Sequence, residues 1–178
     1  MIDAVSYGQA LYELSAESSV ADAVRDQLLV ICEALEREPS YRNLMDTPAV
    51  SSEEKCSLIK EAFAGAEELL CNFLCILCEK RSFYSLPACR RAFDAAYDEA
   101  HAILRATALT ARPMEDRQKE ALTKKLSAMT GKTVELDNQI DPTLVGGIRL
   151  RYGGVQLDDT IRSRLETLRR SLGDAIIS

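Results

Sequence analysis

The side chains best equipped for chemistry are Cys71, Cys75 and Cys78, whose C-x3-C-x2-C spacing can hold three irons of an iron–sulfur cluster. The ligands of such a cluster sit on a loop, whereas the intervening Asn72, Phe73, Leu74, Ile76 and Leu77 belong inside a helix. Steps of four and three place the three thiols on one helical face, and cysteine is itself a small buried hydrophobe, so the spacing predicts core packing. A small iron–sulfur-binding enzyme using these three cysteines is the alternative function. The single histidine, His101, is too little for a multi-histidine zinc site or histidine acid–base catalysis, and is expected at the surface. No G-x-x-x-x-G-K-[ST] loop occurs, and Gly146-Gly147 leads into a strand where a phosphate cradle would lead into a helix. Glu53-Glu54 and Glu67-Glu68 read as solvated helix starts. Arg162, Arg164, Arg169 and Arg170 are interrupted by Glu166 and Asp174 in an acidic chain, which argues against a nucleic-acid partner. No catalytic residue, metal site or cofactor is predicted, and the residues point to a binding protein.

The 178 residues carry 28 acidic and 22 basic side chains, a formal charge of −6, with 47% apolar residues, the composition of a folded chain. The longest uncharged apolar run, Leu69 to Cys78, spans about 15 Å as a helix, half a bilayer core, so no membrane crossing is expected. The first residues carry no basic segment before an apolar one, so a cytosolic chain without a leader is expected, its six cysteines free thiols. Composition divides near residue 105. All six cysteines precede it, six of the eight glycines follow it, and the charge changes from −8 in 1–105 to +2 in 106–178. Two domains are predicted, a helical bundle over 1–105 and a small α/β unit over 106–178.

Periodicity supplies the elements. Tyr7, Leu11 and Leu14 share a face of a first helix, and Val20, Val24, Leu28, Ile31 and Leu35 a face of a second, which Pro39 ends. A short helix about Tyr41 to Met45 is stopped by Pro48. Ser51 with Glu54 forms a capping box for a fourth helix, closed by Gly65. A fifth, about Glu67 to Lys80, is apolar nearly all round, and a sixth begins near Pro87 and runs to His101. About six helices with short connections predict an α-helical bundle. From Ile103 the period falls to two. Strands are expected at Ile103–Leu109, around Val134 and Leu136, at Ile148–Tyr152, and after a Gly153-Gly154 turn at Val155 and Leu157. Pro113 is expected to open a helix that Gly131 terminates, and Asp159 or Thr160 to cap a last one carrying Ile161, Leu165, Leu168 and Leu172.

The first helix has apolar surface to spare. At 100° per residue, Ala4, Val5, Tyr7, Gly8, Ala10, Leu11, Tyr12 and Leu14 cover an arc of roughly 220°, where a surface helix needs little more than 100°. Either the whole arc is buried in the bundle, or part of it lines a groove able to admit an amphipathic helix of another protein.

The motifs resemble one family, the delta subunit of the bacterial rotary ATP synthase, related to the mitochondrial protein that confers oligomycin sensitivity. Tyr7-Gly8-Gln9-Ala10-Leu11-Tyr12-Glu13-Leu14 is similar to its opening Y-A-x-A-L-F-E-L, and Leu44-Met45-Asp46-Thr47-Pro48 with Glu53-Glu54-Lys55 to its L-x-x-P…E-E-K. Asn72-Phe73-Leu74, Lys80-Arg81 and Leu86-Pro87 resemble its N-F-L…R…L-P. Ile140-Asp141-Pro142-Thr143-Leu144-Val145-Gly146-Gly147-Ile148, with Leu157-Asp158 and Ile161-Arg162-Ser163-Arg164-Leu165, resembles its D-P-S-L-I-G-G and I-D-x-S-I-R-x-R-L. Gly8 stands where the family usually has alanine, and the three helix-five cysteines fall outside its pattern. The resemblance implies a non-catalytic stator subunit of the peripheral stalk. Its helical domain would grip the N-terminal helix of an alpha subunit between helices one and five, using Tyr7, Ala10, Leu11, Leu14, Asn72 and Ile76. Its second domain would hold the b subunits. It further implies a peripheral location on the cytoplasmic face of the bacterial plasma membrane, with membrane association only through the complex.

Overall fold

The computed structural model describes residues 2–144, 146–153 and 155–160. They fall into two compact units, Met1–Tyr97 and a second that begins at Asp98. The first unit is helical: α1 (Ala4–Glu17), α2 (Ala21–Arg37), α3 (Pro39–Asp46), α4 (Ser52–Ala62), α5 (Glu68–Glu79), a 3-10 turn (Phe83–Ser85) and α6 (Leu86–Ala100). Local chemistry sets the ends. Asp3 accepts from Val5 N to cap α1, Pro39 occupies the first turn of α3 where its missing N–H costs nothing, and Ser51 and Glu54 close a reciprocal capping box at α4. Gly65 does not close α4. The helix stops at Ala62, and its C-cap is Phe63, whose N–H bonds Ile59 O.

Val24, Leu28, Ile31 and Leu35 form the buried stripe of α2, and Leu70, Leu74 and Leu77 of α5 and Phe93 of α6 are buried with them. Each such side chain contributes about 1.5–3 kcal/mol on burial. Lys55 is also buried. Its ammonium donates to Thr47 O at 2.5 Å, fixing the α3–α4 connection to the second turn of α4. A lysine in an E-E-K run reads as solvated; burial of its stem under that connection is invisible to periodicity.

The second unit is a mixed four-stranded sheet with one described helix. β1 (Ile103–Thr110) pairs in parallel with β2 (Thr133–Ile140), the crossover being α7 (Asp116–Thr130), and antiparallel with β3 (Gly147–Tyr152), which forms a hairpin with β4 (Val155–Thr160). The strand order is β2-β1-β3-β4. Ala106 and Ala108 of β1, Val134 of β2 and Leu150 of β3 alternate onto one face, where Leu126 and Leu122 of α7 cover them. Asn138 ties this core to the approach to α7. Its Oδ1 accepts from Met114 N at 2.8 Å, while its Nδ2 donates to Ala108 O and Thr110 Oγ1.

That tie explains one correction. Pro113 does not open α7, because Met114 is held to β2 and the helix starts only at Asp116, where Glu115 and Gln118 form the capping box. Gly131 ends α7 in the left-handed conformation, φ 69°, as read from the sequence. Asp159 and Thr160 pair with Ile148 and Gly147 as the last residues of β4, the extended backbone that an N-cap residue also adopts. The last helix with Ile161, Leu165, Leu168 and Leu172 lies outside the described residues, as does Gly154.

Candidate functional site

The apolar arc of α1 is divided between two neighbours. Gly8 is buried against Cys89 and Ala92 of α6, and Tyr12 packs edge-on to Phe93, with centroids 5.7 Å apart, and to Tyr97 at 6.1 Å. The other side of the arc, Tyr7, Ala10, Leu11 and Leu14, faces α5 across an open groove of about 500 Å³. The α5 wall is Leu69, Asn72, Phe73 and Ile76, with Glu68 at its end. Leu11 and Phe73 form the floor, 2% and 7% exposed, whereas Leu14 is 52% and Ile76 42% exposed. Large side chains stand half in water on both walls of one cleft, forming an exposed apolar patch.

All six residues that the resemblance singled out line this groove. Leu69, Phe73 and Glu68 were not read from sequence. Residues 69, 72, 73 and 76 share the i, i+3, i+4, i+7 spacing of one face, but α5 is apolar on nearly every side, so no polar stripe marks which face is open. The groove holds no nucleophile, no histidine and no paired carboxylates. It can bind an apolar helix face, with the Asn72 amide and the Tyr7 hydroxyl as neutral hydrogen-bonding groups.

The cysteines lie elsewhere. Cys71, Cys75 and Cys78 are buried, Cys71 directed at Phe63 O and Cys78 at Met45 Sδ, both at 3.8 Å. Among the described residues, no group of three His, Cys, Asp or Glu side chains is arranged to hold a metal ion, and nothing supports the iron–sulfur alternative. Burial pushes the Cys75 and Cys78 thiols up to about 12 and Cys32 up to about 11, a neighbouring Cys56 thiol adding to the shift at Cys75. Their ordinary value is 9.0, so between pH 9 and 12 the folded chain keeps protons that the unfolded chain has released. Their stabilising contribution is therefore complete below pH 9 and lost as pH rises toward 12. Thermal unfolding followed by circular dichroism should show a melting temperature that falls from pH 8 to 10.5, with a shallower fall in a Cys75→Ala/Cys78→Ala variant. Equal slopes would contradict the burial account.

The sequence pattern of one family, ATP synthase delta (OSCP) subunit, matches residues 4–172. The chain belongs to this family. Among its relatives, ATP synthase subunit delta of Geobacillus sp. (strain WCH70) is 31% identical over 172 residues, covering 96% of this chain and 97% of the relative. That of Desulforamulus reducens is 33% identical over 168 residues, covering 93% and 92%. A chain of the Toxoplasma gondii mitochondrial ATP synthase hexamer shares the fold, with a TM-score of 0.74 at 21% identity over 97% of this chain and 98% of that one. As a delta/OSCP family member the chain is a non-catalytic subunit of the ATP synthase peripheral stalk. No described helix is long and apolar enough to cross a membrane.

Proposed function

We propose that the α1–α5 groove grips the N-terminal helix of an alpha subunit, while the second unit holds the b-subunit end of the peripheral stalk. The catalytic head is thereby kept from turning with the rotor, on the cytoplasmic face of the bacterial plasma membrane, and the chain meets the membrane only through the complex. The observation that carries this reading is the convergence of Tyr7, Ala10, Leu11, Leu14, Asn72 and Ile76 on one open apolar cleft. A helix laid in such a cleft can bury on the order of 1,200–2,000 Å² in total, the size of a stable interface.

The test is a coupling measurement. Membranes carrying ATP synthase without this subunit should hydrolyse ATP, since no catalytic group has been removed, but should fail at proton-driven ATP synthesis until the purified chain is added back. Undiminished synthesis without the chain would overturn the stator reading.

The two functions are assigned to separate parts of the chain, which composition divides near residue 105 and the compact units divide between Tyr97 and Asp98, ahead of β1. Limited proteolysis should release a stable helical fragment of about 100 residues. First cuts within residues 20–90, with the remainder resistant as one piece, would contradict the division.

A further inference from the structure

The charge around the groove specifies its occupant more closely than its apolar walls do. Neither α1 nor α5 contains a lysine or arginine. Their exposed charges are all carboxylates: Glu13 and Glu17 on α1, Glu68 and Glu79 on α5. Glu13 and Glu17 follow Ala10 and Leu14 by three residues, and Glu79 follows Ile76 by three and Asn72 by seven, spacings that set them beside the groove-lining face. Glu68 lines the groove itself. The basic residue that adjoins either helix in sequence is Lys80, at the C-cap of α5. The surrounding sequence reinforces the sign, since residues 1–105 carry net charge −8.

Resting on the groove reading above, we propose that the site selects an amphipathic helix whose apolar stripe is flanked by basic residues, and that Glu13, Glu17, Glu68 and Glu79 are the selecting groups. The division of labour is physical. The apolar walls supply most of the affinity but accept any helix with a suitable stripe. Carboxylates beside the groove draw in a basic flank, speed its encounter and disfavour an acidic one, by an amount that salt screens. An acidic flank would set like charges side by side at the rim as the groove loses water.

Two synthetic 20-residue peptides test this, sharing one Leu/Ile stripe at i, i+3, i+4 and i+7, with flanks of Lys and Arg in one and of Glu in the other. By calorimetry on the full chain at about 50 mM salt, the basic peptide should bind about tenfold tighter or more, and its advantage should shrink as salt rises to 0.5 M. A Glu13→Gln/Glu17→Gln/Glu68→Gln/Glu79→Gln variant, checked for folding by circular dichroism, should still bind the basic peptide but lose most of the preference. Equal affinities for both peptides, or a preference that survives the fourfold substitution, would overturn the selection while leaving the groove reading intact. Failure of both peptides to bind the folded chain would overturn both.

Discussion

Ala10→Asp is expected to weaken binding of an alpha N-terminal helix by a hundredfold or more while the chain stays folded. Ala10 is exposed and lines the groove, so a carboxylate there keeps its hydration in the free protein and adds little strain. Docking would press it against an apolar helix face, and an ionised group stripped of water without a partner costs several kcal/mol. A loss of about 2.7 kcal/mol already corresponds to a hundredfold. Calorimetry with a peptide from the alpha N-terminus, beside circular dichroism of the variant, separates lost binding from lost folding. Ala10→Ser, small and neutral, should lose far less. Unchanged affinity in a folded Ala10→Asp chain would remove Ala10 from the interface.

Gly8→Ala, a change toward the residue usual in the family, should destabilise this chain. A Cβ on Gly8 would lie 2.3 Å from Cys89 O, 2.6 Å from Ala92 Cβ and 3.0 Å from Phe93 N. Two of these are backbone atoms and the third is itself a Cβ, so no side-chain rotation relieves the overlap, and α1 must move off α6. Alanine gains up to about 1 kcal/mol in helix propensity, whereas overpacking of this kind costs roughly 1–3 kcal/mol and more where backbone must shift. The overlap wins, and a net loss of about 2 kcal/mol would lower the melting temperature by on the order of 5 °C. Ala92→Gly in the same chain should restore part of the loss by removing the middle contact. A melting temperature at or above that of the parent would show that α1 and α6 are less closely packed than described. Because α1 carries one groove wall, the Gly8→Ala chain should also bind its partner more weakly.

How legible this molecule is from its sequence depends on whether a signal is local. The helices declared themselves where one face is apolar and an end is capped, as in α2 with its four-residue stripe and α4 with Ser51 and Glu54. α1 announced surplus apolar surface, yet its division between α6 and open solvent needed the tertiary neighbours, because Gly8 and Leu14 look equally available on a helical wheel. α5 offered the opposite difficulty. Its uniform apolarity predicted burial, and only packing left Ile76 half exposed beside buried Phe73. The start of α7 departs from its local signal for a comparable reason: Pro113 is a local start signal, but a side chain 24 residues away, Asn138, holds Met114 out of the helix. The pairing of Asp159 and Thr160 at the end of β4 follows from ladder register with β3, which no single-strand pattern contains. Asn72 and Ile76 were singled out by family resemblance, since nothing in their own spacing distinguishes them from the buried positions of α5.

The place of β1 in its sheet bears on how the chain would withstand tension. α6 leads directly into β1, and Arg105 on that strand forks onto Asp98 through Nε and Nη2, at 2.6 and 3.0 Å, while its Nη1 meets Glu135 of β2 at 3.0 Å. β1 is an inner strand, held over all eight residues by β2 and over five of them by β3. A pull arriving at Ile103 along the strand axis therefore loads both ladders in shear, so that many hydrogen bonds resist together. An edge strand pulled from its turn would peel, surrendering its bonds one pair at a time. With the incoming chain feeding the middle of the sheet, a member under repeated torsional load would be anchored where rupture requires the simultaneous failure of two seams.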